Sequence, residues 1–166
     1  GCDLAGNRTR YTDGRGNTTT FTYNSLGLLE SVIEPATAAH PALADRTWTV
    51  SYDAAGNPVR QLAPGGVARL RTYDAAGRLA TESGSGAEAE TASRTFGYNL
   101  RGDLVSVSTP GGTDTFRYDD RGNLVAASGP SGNASFVYDA DGDLLSRTDA
   151  AGTSRFTYRK DRKSVV

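Results

Sequence analysis

The chain has 166 residues with 18 basic and 19 acidic side chains, and its net charge of −1 gives no electrostatic footprint for nucleic acid. Leu, Ile, Val and Phe supply only 29 residues, which is below the roughly one fifth of a chain that usually accompanies a thick core. No apolar run is long enough to span a membrane, and a lone cysteine, Cys2, excludes a disulfide framework. Because the charges balance, disorder is not indicated either, and we expect a thin, turn-rich structure.

A repeat of about twenty residues begins near the N-terminus and continues to the end of the chain. Each copy up to Tyr138 has Tyr, then Asp or Asn, and then Gly four residues after the Tyr, with Cys2 in the Tyr position of the first copy. The Tyr and Gly positions are Tyr23 and Gly27, Tyr52 and Gly56, Tyr73 and Gly77, Tyr98 and Gly102, Tyr118 and Gly122, Tyr138 and Gly142, and finally Tyr158. Phe stands two residues before the Tyr at Phe21, Phe96, Phe116, Phe136 and Phe156, and Leu stands six residues after it at Leu29, Leu79, Leu104, Leu124 and Leu144.

These columns predict β-hairpins. Asp or Asn at the first position and Gly at the fourth favour a type I turn that ends in a left-handed Gly, which connects antiparallel strands. Before such a turn, residues 115–118 alternate so that Phe116 and Tyr118 share one face. A second turn, such as the one around Pro110 and Gly111, closes each copy. The sequence therefore predicts an all-β array of tandem hairpins without helical periodicity.

One copy cannot fold alone. Its few apolar side chains contribute roughly 1.5–3 kcal/mol each when fully buried, whereas ordering twenty residues costs on the order of 30 kcal/mol. We therefore expect the hairpins to pair edge to edge in a continuous antiparallel sheet. Two copies are lengthened, near residues 34–46 and 82–92, and we expect both insertions to be loops.

The columns together resemble the YD repeat of the RHS family, which includes bacterial RHS polymorphic toxins, wall-associated repeat proteins, the C component of insecticidal toxin complexes, and teneurins. The resemblance covers about residues 2–158, with departures at Cys2, Val50, Arg71 and Pro58. It implies a β-sheet strip that spirals into a hollow shell, which often encloses a C-terminal toxin domain. The departures leave the register intact but predict looser packing near the start of the array.

The predicted domain organisation is a YD-repeat array over residues 1–160, followed by a non-native tail over residues 161–166. Arg162 stands where the next Gly is due, the only two lysines of the chain lie at its end, and the last six residues match the translation of a common sequencing-adapter string. Arg, Ala and Gly richness elsewhere suggests a high-GC bacterial gene. Because methionine is absent, we expect a fragment or a processed product.

Candidate catalytic and metal-binding residues are few. His40, the only histidine, lies beside Pro41 in an insertion, and Cys2 replaces a repeat Tyr. Asp139, Asp141 and Asp143 resemble a calcium loop, but their Gly is fourth rather than sixth. Turn formation explains the same positions, although weak ion binding stays open. The sequence predicts no catalytic residue, no cofactor and no resident metal.

We interpret the chain as a non-catalytic segment of a secreted or cell-surface protein. The expected partners are flanking YD repeats and a C-terminal toxin or effector of the same full-length protein, whose wall this segment would form. The alternative is a surface adhesin segment that binds glycan or cell wall. A buried aromatic row favours the wall, whereas an exposed aromatic row favours the adhesin.

Overall fold

The computed structural model describes residues 1–86 and 91–158, and its regular structure is almost entirely antiparallel strand. The tail predicted at 161–166 lies outside the described residues, as do residues 87–90 of the second insertion. The chain consists of two compact units, Gly1–Arg94 and Thr95–Val166.

The first unit is an antiparallel sheet whose strands are neighbours in chain order. Its strands are β1 (Arg10–Thr12), β2 (Thr18–Tyr23), β3 (Leu29–Ile33), β4 (Thr47–Tyr52), β5 (Pro58–Leu62), β6 (Ala68–Tyr73) and β7 (Leu79–Ser85). Ahead of β1, a single bridge between Cys2 and Arg8 flanks the first predicted turn. The first insertion forms a loop that ends in a short 3₁₀ turn, Leu43–Arg46. In the second insertion the prediction of a loop is wrong for residues 82–85, which belong to β7 because their pairing with β6 continues.

The second unit repeats this arrangement with shorter connections. Its strands are β8 (Arg94–Tyr98), which begins at the unit boundary, β9 (Leu104–Thr109), β10 (Gly112–Tyr118), β11 (Leu124–Ser128), β12 (Ala134–Tyr138), β13 (Leu144–Asp149) and β14 (Gly152–Arg155). Each strand pairs antiparallel with the next one along the chain. The predicted fold class, all-β tandem hairpins in antiparallel sheet, is confirmed in both units.

Neither unit has a conventional core. No described residue is fully buried, and the Phe and Tyr columns are half-buried up to Tyr138, whereas Phe156 and Tyr158 are 39% and 53% exposed. Along β10 the exposure alternates: Phe116 and Tyr118 lie on a half-buried face, and Thr115 and Arg117 lie on an exposed one. Stability therefore depends on backbone pairing and on contacts between neighbouring strands rather than on a buried interior.

The Gly column adopts the predicted turn conformation. The backbone φ lies between 74° and 94° at Gly6, Gly27, Gly56, Gly77, Gly102, Gly122 and Gly142. The space around Gly122 is open, because a Cβ atom placed there would meet nothing within 4 Å. Backbone conformation alone therefore selects glycine at this position.

We expect Gly122→Val to lower the free energy of unfolding by more than Asp120→Ala does. The left-handed conformation costs an ordinary L-residue about 1–2 kcal/mol, and more when the residue is β-branched. Asp120 needs only an ordinary turn conformation, so its substitution should stay within about 0.5 kcal/mol. Urea unfolding of both variants measures the difference. Gly122→Asn is the matched control, because Asn tolerates this conformation, and a Val variant as stable as the Asn variant would contradict the explanation.

Candidate functional site

The functional element of this chain is a turn that recurs in every copy, and Asp119 illustrates it. Its Oδ1 accepts the backbone N–H groups of Arg121 at 2.9 Å and Asn123 at 2.8 Å. Its carbonyl accepts the N–H of Gly122 at 3.1 Å, and its own N–H donates to the Asn123 carbonyl at 3.0 Å. A single Asp thus organises five residues of backbone, which explains why Asp or Asn always stands at this position.

The fifth turn residue often adds a side-chain bond. Asn123 Nδ2 donates to Asp119 Oδ2 at 3.0 Å, and Asn57 donates in the same way to Asp53. The hydrogen bonds from the side chain and backbone of Asn123 lower the pKa of the Asp119 carboxyl below its ordinary value. At Asp74 the donor is Arg78, which lowers the pKa of that carboxyl and forms an ion pair 2.7 Å long.

A β-bulge follows each described turn that comes after a repeat Tyr. Arg117 pairs with Ala126, but Tyr118 pairs with Leu124, so Val125 is an extra residue in the returning strand. The same shift of register occurs just before Tyr23, Tyr52, Tyr73, Tyr98 and Tyr138. A bulge bends its strand and increases the local right-handed twist, so the twist is increased once per copy.

Within each of the two units, a repeat Tyr links a hairpin to the one before it. The pairing of β9 with β10 ends at Ser106 and Thr115, two residues short of Leu104. Beyond that point the Tyr118 hydroxyl donates to the Leu104 carbonyl at 2.9 Å. Equivalent bonds run from Tyr23 to Arg8, Tyr52 to Leu29, Tyr73 to Pro58 and Tyr138 to Leu124, over 2.8–3.2 Å. We call this contact, from a Tyr hydroxyl to the carbonyl six residues after the previous Tyr slot, the tyrosine clasp.

Arginine side chains add a second link between turns in the second unit. Arg101 donates to the carbonyls of Asp119 and Asp120 at 2.9 Å and 3.0 Å. Arg121 reaches the Ala140 carbonyl of the following turn. Both arginines stand just before the turn Gly, so successive turns along this edge are held by side chains as well as by strands.

The departures from the Phe column create a polar cluster. Arg71, which replaces Phe, places its Nε 3.1 Å from Glu82 Oε1 and its Nη1 3.3 Å from Gln61 Oε1. These residues are cross-strand neighbours on the face that carries Tyr73. At this position of the Phe column, an ion pair and an amide contact therefore stand in place of an aromatic contact.

The candidate chemical residues remain apart. His40 is exposed in the first insertion, where its backbone N–H donates to Thr37 Oγ1 at 3.1 Å. Cys2 is exposed and free. Asp139 Oδ1 accepts the backbone N–H groups of Asp141 and Asp143 at 2.9 Å each, which is the ordinary turn pattern. In the described part of the chain, no three His, Cys, Asp or Glu residues form a metal-binding group, and no helix is long and apolar enough to cross a membrane.

Two features escaped the sequence interpretation. An additional turn of the same kind lies at Asp13, whose Oδ1 accepts the N–H groups of Arg15 and Asn17. It was missed because Thr12 precedes it instead of Tyr, although the Asp, Gly and Asn spacing is present. The tyrosine clasp was also missed, and its signal was that one aromatic column holds Phe while the other holds Tyr.

We expect Tyr138→Phe to lower the free energy of unfolding by about 1 kcal/mol, because it removes one hydrogen bond and keeps the ring. Tyr11→Phe is the matched control, since the Tyr11 hydroxyl makes no hydrogen bond within the described residues and its ring is 51% exposed. Chemical denaturation of the two variants measures the effect. Equal stability of both variants would show that the clasp contributes nothing.

We expect Asp119→Asn to reduce the loss of stability in acid. A carboxyl whose pKa is lowered by folding stabilises the folded chain above its unfolded pKa of about 3.9, and this contribution is lost as the pH falls through the lower folded value. The melting temperature should therefore decrease as the pH is lowered below about 4, and it should decrease less steeply in the Asp119→Asn variant. Asp120→Asn serves as the control because the Asp120 carboxylate accepts none of the turn bonds, and it should follow the wild type. An Asp119→Asn variant with the wild-type slope would contradict the assignment.

Comparisons with known proteins agree with this architecture. The family described as RHS Repeat matches residues 3–39, 52–89 and 93–134. A comparison with curated proteins finds no match.

Solved structures share the fold at low identity. One, of TcdB2–TccC3 without its hypervariable C-terminal region, is 18% identical with a TM-score of 0.73 over 95% of this chain and 9% of the other. Another, of the Tc holotoxin pore of Photorhabdus luminescens, is 18% identical with a TM-score of 0.69, over 93% of this chain and 9% of the other. A third, of TcdB2–TccC3–Cdc42, is 16% identical with a TM-score of 0.68 over the same shares. This chain therefore spans less than a tenth of these solved chains, and its repeats place it in the RHS repeat family.

Proposed function

We propose that this chain is a wall segment of a larger secreted or cell-surface RHS protein, and that the wall encloses or displays a C-terminal toxin or effector. The observation that carries the proposal is the repeated tyrosine clasp. At Tyr23, Tyr52, Tyr73, Tyr118 and Tyr138 the hydroxyl binds the same carbonyl position of the preceding hairpin, so the sheet can be lengthened by adding copies without changing these contacts. Such a unit serves an extended surface rather than a single pocket.

The turn and clasp geometry supports this role in a second way. In a wall, neighbouring hairpins must be joined as firmly as the two strands of one hairpin. Strand pairing alone does not achieve this, because it ends before the turn and leaves neighbouring hairpins unjoined there. Tyr118 and Tyr138 close that gap in the second unit, and Arg101 links successive turns along the same edge. The fold match to TcdB2–TccC3 without a hypervariable C-terminal region fits a chain in which repeats precede a variable segment.

We further propose that the segment has no catalytic turnover of its own. Acid–base and nucleophilic catalysis require a positioned pair of groups, whereas His40 and Cys2 are both exposed and lie in separate elements. The repeated carboxylates are occupied by turn hydrogen bonds, as at Asp119 and Asp139. A screen with generic ester, peptide and glycoside substrates should give no activity. Hydrolysis that is lost in His40→Ala would contradict this part of the proposal.

Limited proteolysis of the full-length protein tests the wall. The region that follows the repeats should resist protease in the wild type and become accessible in the double variant Tyr118→Phe, Tyr138→Phe, which opens two clasps. Tyr11→Phe provides the control because its hydroxyl takes no part in a clasp. Mass spectrometry of the fragments identifies which region is cut.

Three possible results of this experiment distinguish enclosure of the downstream region from its display. Protection of the downstream region in the wild type and the control, with cleavage in the double variant, supports enclosure. Protection that persists in the double variant means that the clasps do not seal the wall. A downstream region cut equally fast in all three proteins would overturn enclosure and leave display as the role of the repeats.

A further inference from the structure

The column of Phe residues is interrupted in the first unit, where two successive copies lack a ring. Val50 and Arg71 stand at the Phe positions before Tyr52 and Tyr73. The Arg71 guanidinium lies against the Glu82 carboxylate at 3.1 Å, so it does not fill the space that a ring would occupy. A groove of about 480 Å³ lies beside these positions, across β4, β5 and β6.

One end of the groove is apolar. Strand register places Val50 opposite Gln61, and alternation along the strands places Trp48 and Ala63 opposite each other on the same face. Val67 follows on the next strand, where its carbonyl accepts the Ala63 N–H at 2.8 Å. Trp48 and Val67 are 46% and 40% exposed. The small Ala63 side chain therefore forms the floor of a channel between two larger apolar side chains.

The other end of the groove carries a cationic group, Arg69, whose donors are not used. Its side chain is 52% exposed, and its Nε lies 3.7 Å from Glu82 Oε1, which is longer than a hydrogen bond. Glu82 is bound more closely by Arg71, at 3.1 Å, so two guanidinium groups share one carboxylate. Within residues 1–86 and 91–158 Arg69 makes no hydrogen bond, so its planar pair of donors is available for an anionic group of a ligand.

We propose that this groove binds a medium-chain fatty acid as a single molecule. Its carboxylate would accept two parallel N–H···O bonds from Arg69, and its acyl chain would pass over Ala63 and cover the Trp48 indole. Arg69 and Trp48 lie two strands apart and two residues out of register, which corresponds to about 12 Å between their Cα atoms. Because each C–C bond of about 1.5 Å advances an extended chain by roughly 1.3 Å, about ten carbons span this distance.

The satisfaction of polar groups distinguishes this ligand from an extended acidic peptide. The backbone groups of β4, β5 and β6 pair along their own ladders, and Gln61 Oε1 already accepts a hydrogen bond from Arg71 at 3.3 Å. A peptide would therefore hold its own N–H and C=O groups over an apolar surface, which is unfavourable. An acyl chain carries no polar group beyond its carboxylate. A hydrocarbon without a carboxylate would cover part of the Arg69 guanidinium and supply no opposite charge.

Tryptophan fluorescence at pH 7 measures binding at the groove itself, because Trp48 is the only indole of the chain. Titration with decanoate, kept below the concentration at which it forms micelles, should change the emission along a saturating curve. Decylammonium has the same tail and the opposite charge, so it should bind at least tenfold more weakly. Octanoate lacks two of the methylene groups and should bind roughly four- to fifteenfold more weakly.

Substitutions at the two ends of the groove separate the contribution of the charge from that of the tail. Arg69→Gln should weaken decanoate binding by about tenfold or more, since hydrogen bonds between charged groups are the stronger ones. Val67→Ser should weaken it severalfold, because an apolar contact is lost. The matched controls Arg15→Gln and Val137→Ser change exposed residues outside the groove and should leave binding unchanged. Calorimetry measures Trp48→Ala, in which binding should be lost, and far-ultraviolet circular dichroism checks that every variant keeps its strands.

Decanoate binding that depends on tail length, on Arg69 and on Val67, with both controls unaffected, supports the proposal. Equal affinity for decanoate and decylammonium, equal effects of the groove variants and their controls, or no saturable binding would overturn it. An emission change with phosphatidylglycerol vesicles or with an acidic aromatic peptide, but not with decanoate, would overturn it as well. None of these outcomes bears on the protease test of the wall, which depends on the clasps of Tyr118 and Tyr138.

Discussion

The structure depends on one recurring hydrogen bond, which joins the hydroxyl of a repeat Tyr to a carbonyl of the preceding hairpin at Tyr23, Tyr52, Tyr73, Tyr118 and Tyr138. Strand pairing between hairpins stops short of the turn, as at Ser106 and Thr115, and a bulge within the next hairpin shifts its register at Tyr118. With backbone hydrogen bonds alone, neighbouring hairpins would not be joined near this turn. The Tyr118 hydroxyl reaches Leu104 across the gap and joins consecutive hairpins where their ladder has ended.

This arrangement changes how the chain is stabilised. No described residue is fully buried, so the hydrophobic contribution comes from side chains that neighbouring strands cover in part and not from a closed interior. Each copy instead combines an Asx-organised turn, a short ladder and a clasp, and each of these contacts involves only the same copy or its neighbour. The thermodynamic consequence is a one-dimensional system, in which the stability of a copy depends on the presence of the next.

The turns and the positive φ of their glycines were predictable from the sequence, because they depend only on local backbone chemistry. Asp119 and Gly122 specify their turn within four residues, so the hairpin and the positive φ could be read directly from the columns. The bulge at Val125 could not, because an extra residue in one strand has no sequence marker when both flanking residues are apolar. The turn at Asp13 was missed for a different reason: the alignment was anchored on Tyr, whereas the turn itself requires only the Asp and the Gly.

The clasp was predictable in principle from a contrast between two columns. Phe116 and Tyr118 occupy the same face and are both half-buried, so burial alone cannot explain why one carries a hydroxyl. A hydroxyl that recurs at one column and never at the other indicates a fixed acceptor nearby. The identity of that acceptor, a carbonyl 14 residues earlier at Leu104, depends on how hairpins stack and is not encoded by spacing alone.

Positions where one copy departs from the repeated residue are informative, because the repeat shows which residue the sheet requires there. A residue type that recurs in every copy is required by the sheet, so Tyr52 and Gly56 carry no information about a particular ligand. Val50 and Arg71 break the Phe column in adjacent copies, and the break coincides with the exposed Trp48 and a groove. The sheet tolerates the loss of two rings because the clasps of Tyr52 and Tyr73 remain intact. The repeated residues thus maintain the sheet, whereas this departure exposes the Trp48 ring and replaces an aromatic contact by the ion pair between Arg71 and Glu82.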